Sequence, residues 1–129
     1  MDDKKTLGLN QEADRLVESL VSTLKWFPDK QSAGRFCFAY ALVTQHEPRS
    51  PNVPDNTPRT TVWNIGTIDG DGTMRQLLAT LGVSNDPNYR MVEDLMNLGA
   101  MLLQKRLSDN PSIRLWDVIQ EQVAGPSLQ

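Results

Sequence analysis

The chain has 129 residues, a formal net charge of -3 at pH 7, 39% hydrophobic and 22% charged residues, and an isoelectric point near 5.0. That length and apolar content exclude a disordered chain and fit one domain with its own core, while the acidic balance excludes a surface that grips nucleic acid all over and leaves room for a local basic edge. The single cysteine, Cys37, precludes an internal disulfide, and no apolar run reaches the ~20 residues of a membrane helix, so a cytoplasmic protein with no membrane partner is expected.

"QEADRLVESLVSTLK", residues 11 to 25, places Ala13, Leu16, Val17, Leu20, Val21 and Leu24 at helical spacing. An amphipathic helix is predicted, capped by Asn10 and favoured by acids in its first turn. Pro28 disfavours helix at Phe27. A second helix is predicted from about Gln31 to Thr44. Its segment "RFCFAYALV" is apolar nearly all round, and a helix without a wet face needs cover on several sides. A subunit interface through Phe36, Phe38, Tyr40 and Leu42 is therefore predicted, making a homo-oligomer the expected state.

Residues 45 to 60 hold four prolines and almost no apolar side chains, which predicts a long loop. "TVWNIGTI" is β-branched and aromatic, and short enough for a strand. After "DGDG" a helix is predicted from about Thr73, with Met74, Leu77, Leu78 and Leu81 on one stripe and Gly82 as its stop. A longer helix over about 88 to 107 turns Val92, Leu95, Leu98, Gly99 and Leu102 inward. The last helix is predicted to start with Asn110 as cap and Pro111 at the first helical position, burying Ile113, Trp116, Ile119 and Val123.

The sum is a mainly α single domain of minor α+β character, with five helices, a short N-terminal strand and one internal strand. Four segments follow: 1–44, the Pro-rich loop 45–60, a strand plus three helices over 61–124 packed on the first, and a tail, 125–129.

Candidate chemistry is sparse. "IDGDGTMRQLL" resembles the middle of a calcium loop. With Asp69, Asp71 and Gly72 at positions 3, 5 and 6, however, position 1 is Thr67 and position 12 is Leu78 in place of the bidentate glutamate. A tight turn is the better reading, with Asp71 or Thr73 capping the next helix. His46 has only Glu47 beside it, which makes no metal site. Cys37 lies in the most apolar helix, where a thiol is inert. Met91, Met96 and Met101 fall on several faces of one helix and read as adaptable packing. No catalytic residue, metal ligand or cofactor is predicted, and the chain is read as a non-enzyme.

The segment "KKTLGLNQEADRLVESLVSTLKWFPDKQSAGRFCFAYALV" resembles the ribbon-helix-helix family: strand, amphipathic helix, turn, second helix. The resemblance implies that two chains pair their strands into one ribbon in the DNA major groove. Leu7 and Leu9 would face inward, and Lys4, Thr6, Gly8 and Asn10 outward. By the same resemblance the start of the second helix would anchor phosphates through Lys30, Ser32 and Arg35. "QSAGRFCFAYALV" and "WNIGTIDGDG" are also similar to the small E subunit of the DNA phosphorothioation (Dnd) system, which implies a place in a DNA-modification or defence assembly. Two functions are thus expected. The first is a non-enzymatic, self-associating, DNA-associated protein on double-stranded DNA. The other is an acidic helical accessory subunit that docks on a larger protein complex without DNA contact.

Overall fold

The computed structural model describes residues 5–44 and 59–124. The described chain is mainly helical, with one small antiparallel sheet. In order it forms β1 (Thr6–Asn10), α1 (Gln11–Glu18) continuing into a π-helical turn (Ser19–Thr23), α2 (Lys30–Thr44), β2 (Arg59–Asn64), α3 (Ile65–Ile68), α4 (Thr73–Thr80), α5 (Tyr89–Asp109) and α6 (Leu115–Ala124).

The amphipathic stripe of α1 is buried as predicted at Ala13, Leu16, Val17 and Leu20. Asn10 caps the helix, its side-chain oxygen accepting from the Ala13 amide at 2.8 Å. The helix does not run regularly to residue 25. Its last turn widens, with the Leu24 amide donating to the Ser19 carbonyl at 2.8 Å, and Lys25 takes a left-handed φ of 56° that ends it.

Helix α2 is covered by its own chain. Ala33, Gly34, Cys37, Phe38, Tyr40 and Ala41 are buried, chiefly against α5. At the crossing, a Cβ on Gly99 would lie 1.8 Å from the Cys37 carbonyl oxygen, so the two backbones touch and only glycine fits. Phe36 is half-buried, packed on Phe27 at 5.1 Å between ring centroids, and Trp63 lies over Gly34. This corrects the reason for expecting a subunit interface at α2. Phe38 is 1% exposed and Tyr40 6%, and Leu42 packs on the same core. Most apolar residues of α2 are covered inside one chain, chiefly by α5, while Val43 near its end is 54% exposed.

Strand β1 pairs with β2 in an antiparallel register that sets Leu7 opposite Trp63 and Gly8 opposite Val62. Leu7 and Leu9 are wholly buried, as expected. The predicted strand over "TVWNIGTI" is only half a strand. It starts at Arg59, inside the segment expected as loop, and gives way at Ile65 to the short helix α3. The β preference of Ile65–Ile68 yields there to burial of Ile68, which is 1% exposed in the core.

Helix α4 stops at Gly82 as predicted. Gly82 has a left-handed φ of 74°, the Gly82 amide donates to Ala79, and the Val83 amide reaches back to Leu78 at 2.8 Å. The last helix starts later than expected. Asn110 opens a turn instead, its carbonyl accepting from Ile113 and its side chain from the Ser112 amide. The start of α6 is fixed by Asp117, whose carboxylate accepts from the Arg114 amide at 3.0 Å. The shift turns the helix: Ile113 and Val118 are buried, while Trp116 and Ile119 face out.

Candidate functional site

Of the residues expected to read DNA, Thr6 and Asn10 lie on β1 and Lys30, Ser32 and Arg35 in the first turns of α2, and α5 packs on both elements. Lys4 lies outside the described residues. Thr6 is half-buried opposite Asn64. Asn10 is 5% exposed, its side chain capping α1.

Both edges of β1 are taken within the chain. One pairs with β2. On the other, the Gly8 amide donates to Glu93 Oε2 at 2.8 Å, and the Asn10 amide to Asn97 Oδ1 at 2.9 Å. Asn97 Nδ2 donates to the Gly8 carbonyl at 3.0 Å. The side chains of Glu93 and Asn97, one turn apart on α5, thus stand where a third strand would be. The ribbon that the resemblance implies needs that edge for a second chain, and here it is filled.

Gly8 has a second role. A Cβ there would meet the Arg59 side chain at 2.8 Å. The missing side chain leaves a track along which Arg59 crosses the strand and reaches Glu93 Oε1 at 3.5 Å. Arg59 and Glu93 are both largely buried, so the carboxylate has a cation as well as an amide as partner.

The start of α2 is flanked by acids, Asp14 and Glu18 from α1 and Asp29 just before it, where a phosphate site needs free donors. Lys30 Nζ lies 3.0 Å from Asp14 Oδ1 and 3.4 Å from Glu18 Oε2. Donating to the Asp14 carboxylate holds the Lys30 ammonium above its ordinary range. Burial pushes the Asp14 carboxyl up, but hydrogen bonds from Thr60 and Lys30 outweigh it, so the group titrates below the usual carboxylate range. The Ser32 amide donates to Asp29 Oδ1 at 2.8 Å, which lowers the Asp29 pKa. Arg35 turns away from this end and donates to the carbonyls of Ile68 at 2.9 Å and Thr67 at 3.0 Å, closing the end of α3.

Elsewhere the acidic turn is structural. Asp69 is 5% exposed. It accepts from the Met74 amide at 3.0 Å, the Arg75 amide at 3.3 Å and the Tyr89 hydroxyl at 2.9 Å. It anchors the start of α4, sharing the role expected of Asp71 or Thr73, since Asp71 also accepts from the Thr73 amide at 3.1 Å. Leu78, at the position a calcium loop gives to glutamate, is fully buried. A cleft of about 570 Å³ between α2, α3 and α4 has Arg35, Asp69 and Asp71 among its lining groups. Each already has a partner in the chain. Burial pushes the Cys37 thiol up to about 12. His46 lies outside the described residues.

Sequence reasoning missed Glu93, Asn97, Arg59 and the outward turn of Trp116. A signal existed for the first two: polar residues four apart, directly after Val92 and Met96 on a helix read as inward-facing, ask for a buried polar task. Trp116 is 64% exposed, and the delayed helix start behind that could not be read from Asn110-Pro111.

No helix among the described residues is long and apolar enough to cross a membrane. Comparisons with protein-family models, curated proteins and solved structures find no match.

Proposed function

We propose that this chain is a non-enzymatic accessory subunit that docks on a larger protein and makes no DNA contact of its own. The observation that carries the reading is the engagement of Lys30, Ser32 and Arg35 by groups of the same chain, with Asp14, Glu18 and Asp29 around them. An arriving phosphate would have to displace carboxylates from Lys30 and the Ser32 amide and backbone carbonyls from Arg35, and approach an acidic protein. The filled second edge of β1 weighs the same way, because a paired ribbon would require Glu93 and Asn97 to withdraw.

Anisotropy of a fluorescent duplex, titrated with the full chain at low salt, tests the reading. It should stay flat to ~50 µM protein, where even non-specific DNA binders with dissociation constants of ~1–100 µM give a signal. Saturable binding that weakens steeply with salt and is lost in Lys30→Ala would overturn the accessory reading in favour of the DNA-associated one.

A further inference from the structure

The sheet has a second edge, on β2. The N–H and C=O of Gly8 are taken by Glu93 and Asn97 on the far side of β1. Gly8 and Val62 stand opposite each other, so they form a pair that is not hydrogen-bonded. Pairs alternate along an antiparallel ladder, and in a pair of this kind both residues turn their main-chain groups outward. The N–H and C=O of Val62 therefore face away from β1. The Ile65 amide, donating to the Lys5 carbonyl at 3.2 Å, fixes the same alternation and turns the Asn64 N–H outward as well. Among the described residues no group bonds to these atoms, and the Val62 side chain is 53% exposed.

An open strand edge is a template for another strand, and proteins commonly guard such edges with outward charge. Here Thr60, Val62 and Asn64 are uncharged, and Arg59, the one charged residue of β2, is drawn across Gly8 to Glu93. An edge without charge has little with which to select a foreign sequence, whereas it complements itself. Val62 is the regular outward residue nearest the middle of β2. A two-fold axis through it lays residues 60–64 of one copy antiparallel on 60–64 of the next. Val62 then faces its own copy and exchanges two main-chain hydrogen bonds with it. Thr61 faces Trp63, a β-branched residue against an aromatic one, and no like charges oppose each other.

We infer that β2 is a contact between two copies of this chain, whose open edges pair about a two-fold axis to join two small sheets into one of four strands. This self-association is independent of the accessory-subunit reading.

The test uses the purified full chain. Sedimentation of the wild type over ~5–200 µM, the range of a small interface, should show a reversible monomer–dimer equilibrium. Val62→Pro removes only an outward donor from each copy, since this N–H takes no part in the ladder with β1. It should weaken the dimer about thirtyfold through the two lost hydrogen bonds. Val62→Lys sets like charges face to face and should weaken it about fivefold. Both variants must keep the wild-type circular dichroism, and Val62→Lys, at an exposed position, carries the test if proline disturbs the strand. Val62→Cys should form a disulfide between copies under mild oxidation, because directly opposite residues have Cα atoms ~5.5 Å apart. Asn64→Cys should not, since its copy lies four residues away along the strand, roughly 14 Å. Cys37 is buried and does not compete. A wild type that stays monomeric at ~200 µM overturns the inference. So does a dimer that the Val62 substitutions leave unchanged, or one that crosslinks equally at position 64. The duplex titration bears on the accessory reading alone, so the two can fail separately.

Discussion

The side-chain amide of Asn97 holds Gly8 in place of a neighbouring strand: its Nδ2 donates to the Gly8 carbonyl at 3.0 Å. Its Oδ1 accepts from the Asn10 amide at 2.9 Å, and Nδ2 also reaches the Glu93 carbonyl on its own helix at 2.9 Å. One wholly buried side chain thereby satisfies backbone groups of β1 that have no water to turn to. The consequence reaches function, since it removes the β1 edge on which a second chain would pair.

Asn97→Leu keeps the volume and removes both partners. Two buried backbone groups left unpaired at ~1–3 kcal/mol each predict a loss of about 3 kcal/mol. Urea unfolding of wild type and variant measures it. A loss below ~1 kcal/mol would mean that β1 does not depend on Asn97. Asn97→Asp should be at least as harmful, because it keeps the acceptor but loses the donor and adds a second buried carboxylate beside Glu93.

The crossing of α2 and α5 gives a sharper contrast. Gly99→Ala puts a methyl group where the Cys37 carbonyl oxygen lies 1.8 Å away, whereas a Cβ at Gly66 meets nothing within 4 Å. Forcing the helices apart should cost about 3 kcal/mol or more, at the upper end of overpacking effects. Gly66→Ala should stay within ~0.5 kcal/mol of wild type, as surface changes do. Thermal unfolding of the two alanine variants side by side checks the difference. Equal stability would show that the helices do not touch at Gly99.

The legible and illegible parts of the fold divide along this same line. Periodicity exposes what depends on one helix alone: the buried stripe of α1, the Gly82 stop, the inward positions Val92, Leu95 and Gly99. It cannot reveal which surface covers an all-apolar helix, so α2 read as a subunit interface although α5 supplies the cover. Nor does it show how residues far apart in sequence meet. Gly8, Arg59 and Glu93 form one contact only after β1, β2 and α5 are assembled. Spacing placed Trp116 and Ile119 on one stripe correctly. Which way that stripe faces depended on a helix start delayed to Leu115, and Asn110-Pro111 gave no sign of the delay.

Burial raises the Cys37 thiol from an ordinary 9.0 to about 12. A folded-state value above the unfolded one means that the native state disfavours the thiolate. Its contribution to stability is full below about pH 9 and is lost as pH rises toward 12. Iodoacetamide labelling at pH 8 should therefore be slow and track global unfolding, accelerating when urea is added and in Gly99→Ala. Rapid labelling of the folded protein would show that the thiol reaches solvent by a local opening.

The Asp14–Lys30 pair supplies the acid-side counterpart. The Asp14 carboxyl titrates below its ordinary 3.8 in the folded protein, so it contributes stability above that value and loses it as pH falls through the folded pKa. Lys30 is 34% exposed in its side chain and Asp14 17%, which limits the pair to about 1 kcal/mol after solvent screening. Asp14→Asn should be less stable than wild type by that amount at pH 7, with the gap closing once the pH falls below the folded pKa and both proteins are uncharged at this position. Lys30→Ala should show a similar deficit at pH 7, and it too should shrink in acid, since its partner is then protonated. Urea unfolding across pH 2 to 7 follows both. A deficit for Lys30→Ala that is absent at pH 7 would leave Lys30 without a structural task, and its ammonium free for an external anion after all.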